Sequence, residues 1–490
     1  MLIIVSNYPF LMENRNSSAS LHHEGALNNT FKYQVYSAIV ISIIQLITLY
    51  FLGRKLTAVQ LGIFGVYQMI FRFAFAVFEP GMFASLIQKH EISQKLLHYL
   101  KRFQYIIFLI FVVVLLGLFY QQWIAFGVEA IVLFISILVS AAIAFGSLHH
   151  ARLILVNKQF EIAFLFTIAH SIEFILLFSM LQFLPEIYCF TISLLVRFCV
   201  FYIGCYYLVR KTKIEHTVPS IELNEHRNYG LNYCLMQGLS YLQGIYDNIL
   251  IALLFGPAFF GIYVLACELS YFVFSKINPL FNKSYFPVLT SKIKHKEESF
   301  TMIQSVFESF LYVVVPIYLF LFFQSGTILH WLYPDKANDL LMPFQYFLLI
   351  AFVKSLTNLV FTMYLAHGKT KEIFIWNLVI AIANYLFVFI FFIVKVDYER
   401  FMLFMLLYSI LVLIILSVKL FSLLVLHGFS KITFVRLSIY IVFSFLSIFA
   451  FYYYGLNFII SSLLYLICVL SLFYIVNKQK FLDLLSFKIV

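Results

Sequence analysis

Long apolar segments recur along the whole chain and dominate what it can fold into. A helix needs about 20 consecutive apolar residues to cross the hydrocarbon core of a bilayer. With 63% hydrophobic and 11% charged residues, this 490-residue chain carries more apolar surface than a water-soluble core can bury. The sequence therefore predicts an all-α polytopic membrane protein. We count fourteen candidate spans, at 33–53, 61–86, 103–121, 124–148, 160–183, 186–209, 230–255, 258–282, 300–323, 340–366, 373–394, 401–425, 433–454 and 456–476.

The charges of the loops predict how these spans are oriented. Most of the 33 Lys and Arg lie in alternate connections, which fall on the cytoplasmic side if both termini are cytoplasmic. The basic residues that give the net charge of +11 thus lie mostly at the membrane edges, and nucleic acid is not an expected partner. Contact of these loops with anionic lipid headgroups is a secondary interpretation. The basic connections are 87–102, 149–159, 209–229, 283–299 and 367–372.

The chain is predicted to contain two bundles of six helices. Residues 33–209 form the first bundle and 230–425 the second, separated by a cytoplasmic linker at 210–229. Residues 1–32 form a polar cytoplasmic lead, and 426–490 form two extra transmembrane helices with a cytoplasmic tail. The apolar run Leu2–Val5 is too short for a cleavable signal peptide, and Met12 is an alternative start.

The two predicted bundles carry an internal repeat. With an offset of 199, residues 32–90 align with 231–289, so that Gly62-Ile63-Phe64 falls on Gly261-Ile262-Tyr263. Glu79-Pro80 falls on Asn278-Pro279. A proline inside a helix bends it, so we expect Pro80 and Pro279 to act as hinges. Because six spans separate the copies, the repeats are parallel, and transporters with such repeats bind their substrate between the halves.

Short motifs in both copies resemble a known family. Segment 52–90 resembles the start of polysaccharide transporters, of the O-antigen and exopolysaccharide flippase type. They belong to the multidrug, oligosaccharidyl-lipid and polysaccharide exporter superfamily. Its first motif matches Leu56, Thr57, Leu61, Gly62, Gly81, Met82, Ala84, Ser85, Leu86, Ile87 and Gln88. Its second matches Asp247, Gly256, Phe260, Gly261, Tyr263, Ala266, Phe286, Pro287, Leu289 and Thr290.

The resemblance implies a fold, a substrate and a location. The implied fold is two six-helix bundles in a V with two extra C-terminal helices. The implied role is to move undecaprenyl-diphosphate-linked oligosaccharides across the bacterial inner membrane. The expected partners are this lipid-linked oligosaccharide and membrane lipids. Further candidate partners are a polysaccharide polymerase and the proteins that control polysaccharide chain length.

Basic residues also lie inside the predicted spans. Gln68, Arg72, Phe75 and Glu79 share one helix face, because they are spaced by three or four residues. A charge at mid-bilayer is costly, so it should face a partner or a cavity. We expect a cationic cavity for the diphosphate formed by Arg72, Arg197, Lys276 and Lys354. The alternative is structural pairing, of Arg72 with Glu79 or another helix and of Arg197 with Glu173.

Acidic residues inside the spans are candidates for ion coupling. Asp247 and Glu268 lie at similar depth on adjacent predicted helices, and two nearby carboxylates in a low dielectric favour protonation of one. Glu79 and Glu173 are further candidates, and His170 lies one turn before Glu173. Hydrogen bonding between helices is the alternative interpretation for each of them.

Several enzyme and pump classes are disfavoured by what the sequence lacks. It has no G-x-x-x-x-G-K-[ST] loop, no H-E-x-x-H and no G-x-S-x-G motif. We therefore predict a non-enzymatic flippase without metal or cofactor, working by alternating access and driven by an ion gradient. The alternatives are a drug or cation antiporter, a peptidoglycan-precursor flippase of the same superfamily, and a membrane-embedded polysaccharide polymerase.

Overall fold

The described residues fold mainly into helices, as expected for a polytopic membrane protein. A computed structural model describes residues 20–79, 81–89, 94–120, 130–156, 158–212, 223–292, 296–366, 370–394, 397–423, 431–453 and 458–478. These residues contain no β-strand, and the all-α membrane fold is confirmed. The alternative start at Met12 and the hinge residue Pro80 lie outside the described residues.

The described chain divides into two compact units, with the boundary between Val264 and Leu265. The predicted bundle boundaries around the 210–229 linker stay a prediction. The first unit contains α1 (Ser20–Lys55), α2 (Ala58–Phe78), α3 (Ala84–Lys89), α4 (Gln94–Tyr120), α5 (Ala130–Leu155), α6 (Gln159–Met180), α7 (Glu186–Lys211) and α8 (Leu223–Lys292) as far as Val264. The second unit contains the rest of α8 from Leu265, α9 (Lys296–Phe323), α10 (Ser325–Leu332), α11 (Ala337–Ala366), α12 (Thr370–Val394), α13 (Tyr398–Leu423), α14 (Lys431–Tyr453) and α15 (Phe458–Val476).

Within the described residues, twelve helices are long and apolar enough to cross a membrane. One of them, Leu223–Pro279, has 57 residues and covers two of the predicted spans, and Ile375–Phe391 is a shorter apolar helix. All fourteen predicted segments therefore overlap described helices. Their outward faces carry large apolar side chains such as Leu109, Ile175 and Ile459, which suits contact with lipid.

The two limbs of α8 meet at Gly256. This glycine has φ 78° and ψ 177°, a conformation that side chains disfavour, and Pro257 then starts the second limb. Gly256 and Pro257 thus form a kink in one long helical run. The helix continues through Pro279 without a second break.

The family motif at the start of α2 has a structural basis. Thr57 caps this helix: its hydroxyl accepts from the Gln60 backbone N–H at 3.3 Å, and the Gln60 side-chain oxygen accepts from the Thr57 N–H at 2.8 Å. This reciprocal capping box satisfies two backbone donors that the first turn of a helix leaves free. Leu56 and Thr57 therefore fix where α2 begins.

The two C-terminal helices pack on α9, which contains a proline at position 316. Pro316 has no N–H, so the carbonyl of Tyr312 one turn earlier loses its helical donor. The Tyr440 hydroxyl on α14 donates to this carbonyl at 2.8 Å. The Tyr465 hydroxyl on α15 donates to the Pro316 carbonyl at 3.1 Å. The extra helices thus complete the backbone hydrogen bonding of α9.

Candidate functional site

The carboxylate of Glu79 is the centre of a buried polar network in the first unit. Glu79 caps the C-terminus of α2 and is 5% exposed. One of its oxygens contacts Nδ1 of His150 on α5, and the Tyr202 hydroxyl on α7 donates to the other. These contacts hold the carboxylate among α2, α5 and α7, away from lipid. We call Glu79, His150 and Tyr202 the Glu79 network.

Small residues and a glutamine shape this network. A Cβ at Gly146 would overlap the Tyr202 ring. The glycine therefore allows this ring to pack directly against α5. Gly81, with φ 56°, follows the end of α2. Gln104 on α4 spans this break, accepting from the Met82 N–H at 3.1 Å and donating to the Phe78 carbonyl at 3.3 Å.

Sequence reasoning identified Glu79 but missed His150 and Tyr202. His150 lies 71 residues from Glu79, and Tyr202 lies 123 residues away, so no local spacing connects them. The sequence feature that could have pointed to His150 is the adjacent pair His149-His150 at the end of an apolar helix. Arg72 lies on α2 and is half-buried; its predicted place in a cationic cavity stays a prediction.

Glu173 and Arg197 form a buried ion pair between α6 and α7. Nη1 of Arg197 donates to both Glu173 oxygens, at 3.1 and 2.9 Å, and the guanidinium lies 4.6 Å from the centroid of Phe198. This is the pairing that the sequence offered as the alternative. Because Glu173 balances its charge, Arg197 adds no net positive charge locally, and its role towards the substrate stays a prediction. His170, one turn before Glu173, is fully buried, with Nδ1 2.8 Å from the Phe166 carbonyl.

Asp247 is held within the first unit by a residue of the same family motif. The Tyr263 hydroxyl donates to its Oδ2 at 2.8 Å, across the kink at Gly256. Both residues are buried. Glu268 lies in the second unit, is half-buried and has interactions of its own. The predicted pairing of Asp247 with Glu268 stays a prediction.

Two lysines of the second unit lie against neighbouring aromatic rings of α8. Lys276 on α8 places its ammonium 5.1 Å from the Phe272 ring centroid. Lys354 on α11 places its ammonium 5.1 Å from the centroid of Tyr271, the preceding residue. Glu268 lies one turn before these rings. Aromatic faces stabilise cations in a poorly solvated setting. We call Lys276 and Lys354 the lysine pair.

Glu79 and Asn278 align in the repeat. Each of them links the same two helices of its own repeat copy, but one is an acid and the other an amide. Glu79 joins α2 to His150 on α5, whereas Asn278 joins α8 to α11 through a donated hydrogen bond of 2.9 Å to the Ser355 carbonyl. The Asn278 amide also lies 3.4 Å from Asn358 Oδ1. The link in the first unit therefore contains a carboxylic acid, Glu79, whereas the corresponding link in the second unit contains the uncharged amide of Asn278. Pro279 follows Asn278 within the continuous second limb of α8, and its role as a hinge stays a prediction.

Comparison with known proteins identifies the family of this chain. A family model described as Polysaccharide biosynthesis protein matches residues 51–341, more than half of the chain. The chain belongs to this family. The predicted resemblance, which rested on motifs within 56–88 and 247–290, is confirmed. No curated protein matches the chain.

Solved structures show which fold this member of the polysaccharide biosynthesis family has. The lipid II flippase MurJ, in an inward closed conformation, matches with a TM-score of 0.65 at 16% identity, covering 92% of this chain and 99% of MurJ. An inward-facing multidrug resistance MATE transporter of the MOP superfamily matches with a TM-score of 0.59 at 12% identity, covering 80% of this chain and all of that one. A MOP superfamily transporter from Pyrococcus furiosus matches with a TM-score of 0.52 at 14% identity, covering 81% of this chain and 96% of that one. At these identities the likeness shows the fold.

Proposed function

We propose that this protein is a flippase that moves an oligosaccharide linked to undecaprenyl diphosphate to the outer face of the bacterial inner membrane. The family supports a role in polysaccharide biosynthesis, and the apolar helices support work inside a bilayer. No covalent bond changes in this process, so the protein acts as a transporter and not as an enzyme. It works by alternating access, with both termini in the cytoplasm.

The lysine pair is the observation that carries this proposal. Lys276 on α8 and Lys354 on α11 each place an ammonium group against one of two neighbouring rings of α8, so a ligand with at least two negative charges can accept charge-assisted hydrogen bonds from both. A diphosphate has this charge, and charge-assisted hydrogen bonds to its oxygens are about twice as strong as neutral ones. A cationic drug would be repelled by the same groups.

The test is surface glycan display in cells that produce the Lys276→Gln/Lys354→Gln variant at the wild-type level. A charged hydrogen bond contributes about 1.5–3 kcal/mol, so each lost lysine should weaken substrate binding by roughly tenfold or more. The control is Arg400→Gln, which removes one positive charge from a side chain that is 80% exposed. Undiminished display by the double variant would refute the diphosphate role of the lysine pair.

The Glu79 network supports the ion-coupling part of the proposal. Protonation of Glu79 removes the charge that holds His150 and Tyr202, and so loosens α2 from α5 and α7. Flipping in vesicles with an imposed pH gradient tests this step. Wild-type transport should follow the gradient, and Glu79→Gln transport should not. Wild-type flipping that is indifferent to the gradient would remove the proton-coupling claim.

The alternative functions give different results in cells. A drug or cation antiporter would expel cationic dyes, and a peptidoglycan-precursor flippase would be essential for growth. A polysaccharide polymerase would need a large outer loop, whereas the connection from α9 to α11 consists of α10 and a short helix at Pro334–Lys336. Loss of surface glycan in a viable cell without altered dye efflux is the outcome expected of the proposed flippase.

A further inference from the structure

A basic cluster lies at one end of the first unit, outside the residues considered above. His149 on α5 packs edge-on against Tyr206 of α7, with ring centroids 5.0 Å apart. The Arg210 guanidinium lies 4.6 Å from the centroid of the same Tyr206 ring. Arg152 follows His149 by one turn, and its charge and that of Lys101 on α4 both act on the His149 ring. We call Lys101, His149, Arg152 and Arg210 the α5 basic cluster.

The cluster lies at a membrane edge, because α5 and α7 end there and α4 begins there. The loop charges predict that this edge is cytoplasmic. The side chains range from half-buried, at Arg152, His149 and Lys101, to exposed, at Arg210. The site is therefore open to the interface where lipid phosphates lie.

The cations of the cluster have no acidic partner in the part of the chain that the structure describes. Among the residues that the structure describes, no carboxylate lies within ion-pair distance of Lys101, Arg152 or Arg210. Glu79, which is close in the fold, is already bound to His150 and Tyr202. Lys158 differs from the cluster, because Glu161 pairs with it at 2.7 Å.

Two polar atoms of the cluster lack a partner although they are shielded from solvent. They are Nε of Arg152 and Nδ1 of His149, for which the described part of the chain offers no hydrogen-bond partner. Buried polar groups are normally satisfied, and an unmade hydrogen bond of a charged group is expensive. A cation that only marks membrane orientation would keep its donors in water, so the shielded Nε–H of Arg152 points to a missing acceptor.

We propose that the α5 basic cluster binds the phosphate group of a membrane lipid at the cytoplasmic interface. A phosphate oxygen can accept from Arg152 while the other cations balance the remaining charge. Two lipids carry such a group: an anionic phospholipid and the undecaprenyl diphosphate of the substrate. The phospholipid form of the site is independent of the proposed flippase function.

The experiment measures lipid binding to the full-length protein in phosphatidylcholine nanodiscs by adding phosphatidylglycerol. Each Lys or Arg near a membrane surface strengthens attraction to anionic lipid by about fivefold. Arg152→Gln/Arg210→Gln should therefore weaken phosphatidylglycerol binding by at least about tenfold. Arg210→Gln alone, which changes an exposed side chain, should weaken it by about fivefold and keeps the test open if the double variant fails to fold.

Lys158→Gln is the matched control, because it removes an equal charge that Glu161 already balances. The proposal expects this variant to bind phosphatidylglycerol nearly as the wild type does. Equal weakening by Lys158→Gln, or unchanged binding by Arg210→Gln, overturns it, because binding would then follow net charge or not involve the cluster. Competition by undecaprenyl diphosphate assigns the site to the substrate, and phosphatidylglycerol binding without such competition assigns it to phospholipid.

Discussion

Gly62 and Gly261, which align in the two repeat copies, approach each other reciprocally. A Cβ on Gly62 would overlap the Pro257 carbonyl oxygen, and a Cβ on Gly261 would overlap the Ala58 carbonyl oxygen. The same offset of 199 relates Ala58 to Pro257 and Gly62 to Gly261. Reciprocal contacts of this kind are typical of two equivalent elements that meet around a two-fold axis. The contact supports the repeat that the sequence predicts.

Alanine at either glycine should destabilise the protein by a similar amount. Backbone carbonyls cannot move aside as a flexible side chain can, and overpacking typically costs about 1–3 kcal/mol. Gly117→Ala on α4 is the control, because nothing lies within 4 Å of its Cβ position, and alanine there should stabilise the helix slightly. Thermal unfolding in detergent measures all three. Wild-type stability of both Gly62→Ala and Gly261→Ala would contradict the close approach.

Tyr202→Phe should weaken the Glu79 network without changing the shape of the core. The buried Glu79 carboxylate then loses a donated hydrogen bond, which costs about 1.5–3 kcal/mol for a charged group. Tyr207→Phe is the control, because Tyr207 is the exposed neighbour on the lipid side of α7. Unfolding of both variants in the same detergent checks the prediction. An equal small effect of the two changes would mean that Tyr202 does not stabilise Glu79.

The Glu173–Arg197 pair allows a separation of structural from functional charge. Glu173→Gln leaves Arg197 buried without a counter-charge and should destabilise the protein by about 3–5 kcal/mol. Replacing both, as Glu173→Leu/Arg197→Met, should restore most of this stability, since apolar substitutes for buried pairs are often neutral. Glycan display by the double variant then decides the role of Arg197. Normal display makes the pair structural, and lost display in a stable protein supports substrate binding.

The sequence marked positions with special backbone roles more readily than it marked side-chain contacts. Thr57 and Gly256 stood out as motif residues, and the structure gives the reason, because a helix cap and a positive φ each restrict the residue type at one position. Lys276 and Lys354 were singled out by their depth in the membrane alone, and the cavity expected around them stays a prediction. Lys354 reaches Tyr271 because α11 packs close to α8.

The partners of Glu79 and Asp247 show what local patterns leave out. Each carboxylate stood out because a charge inside an apolar segment is rare. Its partner was missed because a tyrosine in a chain with 33 tyrosines and 60 phenylalanines carries no signal by itself. Tyr202 and Tyr263 become informative only when helix packing brings their hydroxyls to the two acids.

The hydroxyl of Tyr440 should stabilise the protein because Pro316 lies in α9. Tyr440→Phe leaves the Tyr312 carbonyl without a donor and should cost about 1 kcal/mol. Pro316→Ala returns a backbone N–H one turn after Tyr312, so the same Tyr440→Phe change should cost clearly less in that background. This double-mutant cycle isolates the interaction, because both variants keep the ring packing of Tyr440 on Tyr312. Unfolding in detergent measures the stability of the wild type, the two single variants and the double variant. Tyr452→Phe, at an exposed position, is the control. A cost of Tyr440→Phe that is the same with and without the proline would show that the hydroxyl does not compensate for Pro316.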